Sequence, residues 1–258
     1  MNHTPEVLIL GGTALARQLA AQLTEAGVTT VSSLAGRTSA PLPVAGGLRV
    51  GGFGGAEGLT AWLESHRPRC MVNASHAFAT QISRHAALAA EQTNTPMARL
   101  RQPSWARLPE ASQWLWVPNN ASAVRVVTAL PDPVMLTVGR QATAEFLALG
   151  NRRVFHRVVE APDGALPDRW QLIQARGPFS HADELALMSP DAGPIGALVT
   201  KDSGGARAAA KLDVAAQLGV PVVMIARPDA HPSATVSTPE FAVPQQSAEW
   251  VRELLAER

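Results

Sequence analysis

The chain of 258 residues has no tyrosine, one cysteine and, at Lys201 and Lys211, two lysines. A single cysteine, Cys70, excludes an intrachain disulfide and any metal site built from several cysteines, and no zinc-ligand spacing is present. The lack of tyrosine excludes enzymes that depend on a Tyr-x-x-x-Lys pair, as short-chain dehydrogenases do. The net charge of +1 gives no electrostatic reason to expect nucleic acid or a membrane surface as partner.

Long apolar runs are also missing. No stretch approaches the ~18 residues that a membrane span needs, and glycines interrupt the short apolar run near the N-terminus, which argues against a secretion signal. We therefore expect a cytoplasmic protein. Hydrophobic residues make up 46% of the chain but aromatic residues only 5%, so alanine, valine and leucine are predicted to fill the core.

Short apolar segments alternate with helix-like segments along the whole chain. The predicted strands are residues 7–10, 29–33, 48–50, 70–73, 96–100, 114–117, 134–138, 154–160, 171–175, 197–200 and 222–226. The predicted helices are residues 14–26, 57–66, 77–92, 120–130, 143–149, 181–188, 205–218 and 246–257. This order is typical of α/β proteins with doubly wound parallel sheets. We predict two Rossmann-like domains, residues 1–101 and 102–258, with the active site in the cleft between them.

Glycines follow the first predicted strand, and a helix begins directly after them. Gly11, Gly12 and Thr13 occupy this turn, where glycine lets the backbone approach a phosphate and the helix N-terminus offers free N–H groups. The full G-x-G-x-x-G pattern is absent, so the turn alone is a weak indication of a dinucleotide.

The second predicted strand points to the kind of dinucleotide. Proteins that bind NAD usually carry an acidic residue near the end of this strand, where it holds the ribose 2′-hydroxyl. Here the strand continues into Ser32, Ser33 and Arg37 without an acid. Hydroxyls and an arginine suit a 2′-phosphate, so NADPH is favoured over NADH.

Three further loops carry candidate ligand-binding residues. His76 follows the fourth strand and is predicted at the start of a long helix, where it could hold an anion, donate a proton or only cap the helix. Arg140 follows a strand of the second half, and an arginine at such a place can bind a carboxylate through two hydrogen bonds. Lys201 ends another strand. Because the chain otherwise uses arginine almost throughout, we infer that the compact ammonium of Lys201 is functional, whereas Lys211, within a helix, is not.

Several segments taken in order resemble one family. They read LILGGTALARQLA, SSLAGRT, RVGGFGG, VNASHAFA, MLTVGR, RGPFS and VTKDSGG followed by AAKLDVAAQLGVPVVMIARP. Together they resemble the precorrin-6A reductases of cobalamin biosynthesis, the CobK/CbiJ family, over nearly the whole chain. The resemblance implies NADPH-dependent reduction of one carbon–carbon double bond of the precorrin-6A macrocycle, a tetrapyrrole with many carboxylates, to give precorrin-6B.

The resemblance and the patterns together assign three groups of residues. The expected catalytic residues are Lys201 and His76. The expected cofactor-binding residues are Gly11, Gly12, Thr13, Ser32, Ser33, Arg37, Gly52 and Ser75. The expected substrate-binding residues are Arg140, Asp202, Ser203, Gly204 and Arg227, with Arg49 and Arg176 as further cationic candidates. No metal is expected, and the oligomer is expected to be a monomer or a small homo-oligomer.

The chain departs from the family pattern at three positions. Asn73 stands where an aspartate is usual, Ala77 where a proline is usual, and Leu15 where a glutamate is usual. A mechanism in which that aspartate is the essential acid is therefore disfavoured. Two alternatives stay open, a reductase of the cobalt-containing intermediate and a protein that carries NADPH or a tetrapyrrole without turnover.

Overall fold

The structure, a computed structural model, describes residues 4–36, 41–190, 193–228 and 238–257. The strands are β1 (Val7–Leu10), β2 (Thr30–Leu34), β3 (Gly47–Val50), β4 (Cys70–Asn73), β5 (Met97–Leu100), β6 (Leu115–Val117), β7 (Val134–Thr137), β8 (Val154–Val158), β9 (Trp170–Gln174), β10 (Ala197–Lys201), β11 (Val222–Ile225) and β12 (Glu240–Phe241). The helices are α1 (Ala14–Glu25), α2 (Ala56–His66), α3 (Thr80–Thr93), α4 (Asn120–Thr128), α5 (Thr143–Phe146), α6 (His181–Met188), α7 (Ala210–Gln217) and α8 (Pro244–Ala256). Within the described ranges, no helix is both long and apolar enough to span a membrane.

The described residues fall into two compact units, divided after Gln102 and again after Pro228. The first unit is built on a six-stranded sheet in the order β12-β5-β4-β1-β2-β3, and each neighbouring pair is parallel. Read from the other edge, this is the 3-2-1-4-5-6 order of the doubly wound dinucleotide-binding fold, with β12 in the sixth place. The central strands are apolar and buried on both faces, as parallel sheets covered by helices require.

The second unit has a six-stranded sheet in the order β6-β11-β10-β7-β8-β9, again with parallel pairs throughout. Counted from β7, its strands take the same places as those of the first sheet, and β6 fills the sixth place. The predicted fold class, α/β with two doubly wound parallel sheets, is confirmed. The sequence pattern does not predict β12, because this strand has only two residues.

The sixth strands are exchanged between the two sheets. Strand β6 follows β5 along the chain but pairs with β11, whereas β12 comes after β11 and pairs with β5. Helix α8 then packs its apolar face on α1, where Ala248 and Val251 join the same buried cluster as Leu19 and Leu23. An ion pair of 2.8 Å between Arg101 and Glu240 also ties β12 to the end of β5.

The C-terminal segment therefore differs from the predicted division at residues 1–101 and 102–258. The described residues after 237 belong to the first unit, not to the second. The physical reason is that α8 is amphipathic and must bury its apolar face against a helix, and the amphipathic pattern does not say which sheet carries that helix. The first division between the two units falls after Gln102.

Three charged side chains are buried together in the second unit. Arg157 on β8 forms a two-pronged ion pair with Glu184 on α6, at 2.8 and 2.9 Å, and its guanidinium lies 4.0 Å from the centre of the Phe179 ring. The Lys211 ammonium lies 5.0 Å from the centre of the Trp105 ring. Burial, and next the nearby Arg157, lower the pKa of Lys211 to about 8, although Glu184 acts in the opposite direction.

This lowered pKa makes stability depend on pH. An unfolded lysine has a pKa of about 10.4, so between pH 8 and that value the unfolded chain binds more protons than the folded one. The free energy of unfolding contributed by Lys211 therefore rises with pH across this window, and the buried charge costs stability below it. Cys70, whose pKa burial raises to about 12, contributes an opposite slope above its unfolded pKa.

We expect Lys211→Met to stabilise the protein by roughly 2 kcal/mol at pH 7 and by progressively less toward pH 10. The measurement is equilibrium unfolding in urea of both proteins across this pH range. Because Cys70 is present in both proteins, its contribution cancels in the difference. A difference between the two proteins that stays constant with pH would contradict a buried, titrating Lys211.

Candidate functional site

The first unit brings two loops together where β1 and β4 end. These strands are adjacent and parallel, with Leu10 beside Asn73. Helix α1 packs on one face of the sheet and α3 on the other. Since the chain leaves the two strands toward opposite faces, a crevice opens between their carboxyl ends, which is where doubly wound sheets bind ligands.

Gly11 lies at the closest approach of these two loops. Its φ is +113°, and a Cβ placed on it would lie 2.7 Å from the Cα of Ser75 and 2.9 Å from the carbonyl oxygen of Ala74. Thr13 caps α1 by accepting from the Ala16 N–H at 3.1 Å, and its hydroxyl donates to the Ala74 carbonyl at 2.9 Å. Only glycine fits at position 11, so the backbone of the turn stays close to the crevice.

Asn73 organises the second loop from within the protein. The side chain is 5% exposed, and its Oδ1 accepts from the Ser75 N–H at 3.2 Å and from the Ser75 hydroxyl at 2.6 Å. Its Nδ2 donates to the Ser83 hydroxyl at 3.1 Å. An asparagine thus completes the network without a buried charge, and an aspartate could not make the last donation.

The other two departures from the family pattern have simple structural consequences. Leu15 is buried in the core cluster between α1 and the sheet, so it contributes apolar packing. Ala77 lies in a turn and not in a helix, because α3 begins at Thr80. The expectation that residue 77 opens the long helix is therefore wrong, and Ala77 does not affect the first helical turn.

His76 accordingly precedes α3 instead of capping it. The side chain is exposed, and its Nδ1 accepts from the backbone N–H of Phe78 at 3.2 Å. The carbonyl of His76 accepts from the Ala79 N–H at 2.8 Å. These contacts hold a tight turn beside the crevice and define Nδ1 as an acceptor, so the proton of a neutral ring is on Nε2.

A second group of predicted residues lies at the ends of β2 and β3. The backbone carbonyl of Ser33 accepts from the Gly11 N–H at 3.0 Å, so this edge adjoins the glycine turn. The Ser32 hydroxyl is buried and has no hydrogen-bond partner among the described residues. Gly52 accepts from the Arg49 guanidinium at 2.9 Å. Arg37 lies outside the described residues.

The second unit has an equivalent edge where β7 and β10 end side by side. Gly139, with φ +79°, follows β7, and Arg140 pairs with Glu160 at 3.5 Å. Lys201 ends β10 and is partly buried. Burial lowers the pKa of Lys201, and the negative charge of Glu145 opposes this shift.

A tight turn follows Lys201. The backbone N–H of Ser203 donates to the Lys201 carbonyl at 2.7 Å, and Gly204 has φ +73°. Ser203 and Gly204 therefore lie at the same edge as Lys201, where the sequence predicted them. Arg176, the further cationic candidate, lies in the loop between β9 and α6. Its role in substrate binding stays a prediction from the sequence.

The carboxylate of Asp202 is bound by other groups of the protein. The carboxylate is 2% exposed and accepts from the Ser104 hydroxyl at 2.6 Å and the Trp105 N–H at 3.0 Å. It also pairs with Arg227 at 3.2 Å, whose Nη2 donates to the Pro103 carbonyl at 3.3 Å. These contacts hold the segment that enters the second unit. Both side chains therefore have partners within the protein, and their substrate-binding roles stay predictions.

The structure thus brings together most of the predicted residues in two places. Gly11, Gly12, Thr13 and Ser75 lie at the carboxyl edge of the first sheet, next to Ser32, Ser33 and Gly52. Lys201, Ser203, Gly204 and Arg140 lie at the carboxyl edge of the second. The prediction did not connect Arg49 with Ser33, although the pairing of β2 with β3 sets them side by side.

The two doubly wound sheets, with a glycine turn packed against the neighbouring strand end, define a protein of the Rossmann-like fold class. Within this class, a family model described as precorrin-6x reductase CbiJ/CobK matches residues 6–252. The chain belongs to this family, and the resemblance predicted from the motifs is confirmed.

Individual relatives agree with this assignment. The precorrin-6A reductase of Rhodococcus erythropolis is 44% identical over 228 residues, which are 88% of this chain and 91% of the relative. The cobalt-precorrin-6A reductase of Priestia megaterium is 28% identical over 250 residues, 92% of this chain and 96% of the relative. A solved structure of CobK precorrin-6A reductase is 33% identical, with a TM-score of 0.85 over 97% of each chain.

Because Gly11 lies so close to Ser75, adding a single methyl group at position 11 is expected to lower stability strongly. We expect Gly11→Ala to lower the free energy of unfolding by about 2–3 kcal/mol, since both the positive φ and the short contact with Ser75 must be relieved. Gly51→Ala is the matched control, because its φ of +116° is similar but nothing lies within 4 Å of the added carbon. Urea unfolding of both variants measures the difference, and equal losses would show that the contact with Ser75 is unimportant.

Proposed function

We propose that this chain reduces a carbon–carbon double bond of precorrin-6A with NADPH, giving precorrin-6B in cobalamin biosynthesis. The main support is the membership in a reductase family over residues 6–252. The higher identity to the Rhodococcus erythropolis enzyme, 44% against 28% for the Priestia megaterium one, favours the metal-free macrocycle over the cobalt form.

The first unit fits a dinucleotide. The position of Gly11 against Ala74 and Ser75 leaves no room for a side chain, and the 12-residue helix α1 directs its N-terminus toward the same crevice. We propose that Gly11, Gly12 and Thr13 hold the pyrophosphate and that Ser75 contacts it from the neighbouring loop. Bound NADPH supplies a hydride, and the protein positions the reacting carbon and excludes water.

The second unit is proposed to hold the carboxylates of the tetrapyrrole. Lys201 places an amino group at the end of β10, and the turn through Ser203 and Gly204 brings further main chain to the same edge. Arg140, at the adjacent strand end, is the second cation, although Glu160 balances part of its charge at 3.5 Å. Dispersed cations at a strand edge suit a ligand with many separated carboxylates.

Lys201 is also suited to donate the proton that the reaction needs. Addition of a hydride to one carbon of the double bond leaves negative charge on the conjugated ring, and the neighbouring carbon then takes a proton. Burial lowers the pKa of Lys201, which makes its ammonium a stronger acid than an exposed lysine. We propose Lys201 as this donor, with His76, which is exposed beside the first crevice, as the second candidate.

The proposed function is tested by NADPH oxidation with precorrin-6A made enzymatically, followed at the nicotinamide absorbance, with NADH run in parallel. We expect turnover with NADPH and much slower turnover with NADH. Turnover only with the cobalt-containing macrocycle would replace the proposed substrate. Tight NADPH binding without oxidation by either macrocycle would instead indicate a carrier that does not catalyse the reaction.

The two lysines provide a matched pair of variants for the catalytic role. We expect Lys201→Met to lower kcat by about 10²–10⁴-fold, because a general acid and a charge near the macrocycle are both lost. NADPH affinity should be unchanged. Lys211→Met, which removes the other lysine from the interior of the second unit, should leave kcat within about twofold of the wild-type value. Similar losses of kcat in both variants would contradict a specific role for Lys201.

A further inference from the structure

Arg49 is held rigidly at the carboxyl edge of the first sheet. It lies on β3 directly beside Ser33 of β2, and its Nη1 donates to the Gly51 carbonyl at 2.6 Å and its Nη2 to the Gly52 carbonyl at 2.9 Å. The guanidinium carbon lies 3.8 Å from the centre of the Phe53 ring. Two carbonyls and a ring therefore fix the orientation of the planar group.

The groups that hold Arg49 do not neutralise its charge. Carbonyl oxygens and an aromatic face stabilise a cation without cancelling it, and none of the ion pairs between described residues includes Arg49. An arginine that is positioned in this way, with its charge uncompensated, is suited to binding an anion.

The position of Arg49 indicates which part of a dinucleotide it would meet. Its Nη1 is 3.4 Å from the Ser33 hydroxyl, and the Ser33 carbonyl accepts from the Gly11 N–H of the glycine turn. In doubly wound sheets with such a turn after β1, the end of β2 faces the ribose 2′ position. Residues 32–36 of this chain, Ser-Ser-Leu-Ala-Gly, offer no acid to hold a free 2′-hydroxyl.

We infer that Arg49, together with the hydroxyl of Ser33, recognises the 2′-phosphate of the cofactor and thereby selects NADPH over NADH. This inference rests on the proposed function, and it assigns to the cofactor an arginine that the sequence pattern grouped with the candidates for the substrate. Both side chains come from neighbouring strands of the same sheet.

The test compares two probes that differ only in the 2′-phosphate, adenosine 2′,5′-bisphosphate and adenosine 5′-monophosphate, by isothermal titration calorimetry. We expect the wild-type protein to bind the bisphosphate more tightly. We expect Arg49→Gln to weaken the bisphosphate by about 10–100-fold, since a charged hydrogen bond to phosphate is lost, and to leave the monophosphate within about twofold.

The control variant is Arg252→Gln. Arg252 lies in the last third of α8. Since a helix that follows a strand runs back antiparallel to it, this residue is at the edge of the sheet opposite the strand ends. The substitution removes the same net charge from the first unit but away from the strand ends, so similar weakening of the bisphosphate in both variants would indicate an effect of net charge and not of the position of Arg49.

Each outcome has a distinct meaning. A wild-type protein that binds both probes equally would overturn the proposed NADPH preference and the role of Arg49 with it. A preference that persists in Arg49→Gln would overturn the role of Arg49 alone. Equal weakening of both probes in Arg49→Gln would also overturn it, because it would show that Arg49 only supports the loop at residues 51–52.

Discussion

The parallel pairing of β1 with β4, and of β7 with β10, is the constraint on which the candidate sites depend. In each sheet these two strands lie side by side but send the chain to opposite faces, so their carboxyl ends cannot be covered by a crossover helix. Polar loops and glycines collect at that point because the backbone must turn there and its N–H groups stay accessible. The contact between Gly11 and Ser75, where a Cβ would come within 2.7 Å, shows how closely the strand ends approach in the first unit.

The same sheet order appears twice, and each sheet receives its sixth strand from a distant part of the chain. The alternation of apolar and helical segments predicted almost every strand and helix, because burial on both faces of a parallel sheet requires continuous apolar runs. It could not assign residues 240–257 to the first unit. A strand as short as Glu240–Phe241 is defined by the pairing of its backbone groups with β5, and almost any two residues offer the same backbone groups.

The positions of the candidate residues could be predicted best where backbone geometry determines them, and least well where side chains pair with residues that are distant in the chain. Gly11 and Thr13 occupy the turn that the sequence indicated, since a strand followed by glycine and a helix cap has few alternatives. Asp202 and Arg227 lie near strand ends, as predicted, but they form an ion pair with each other, and Asp202 also accepts hydrogen bonds from Ser104 and Trp105. A buried carboxylate needs several donors, and these donors come from a segment about 100 residues away in the chain, which a local pattern does not reveal.

The two sheet edges differ in the kind of cation that they present, and this difference agrees with the two ligands proposed for them. Arg49 is a planar group fixed by two carbonyls and the Phe53 ring, which suits one phosphate in one orientation. Lys201 is a partly buried ammonium whose pKa is lowered by burial, which suits both a carboxylate and the release of a proton. An arginine at position 201 would retain its proton throughout the accessible pH range. The use of lysine at this edge, in a chain with only one other lysine, is therefore consistent with a residue that gives up its proton during the reaction.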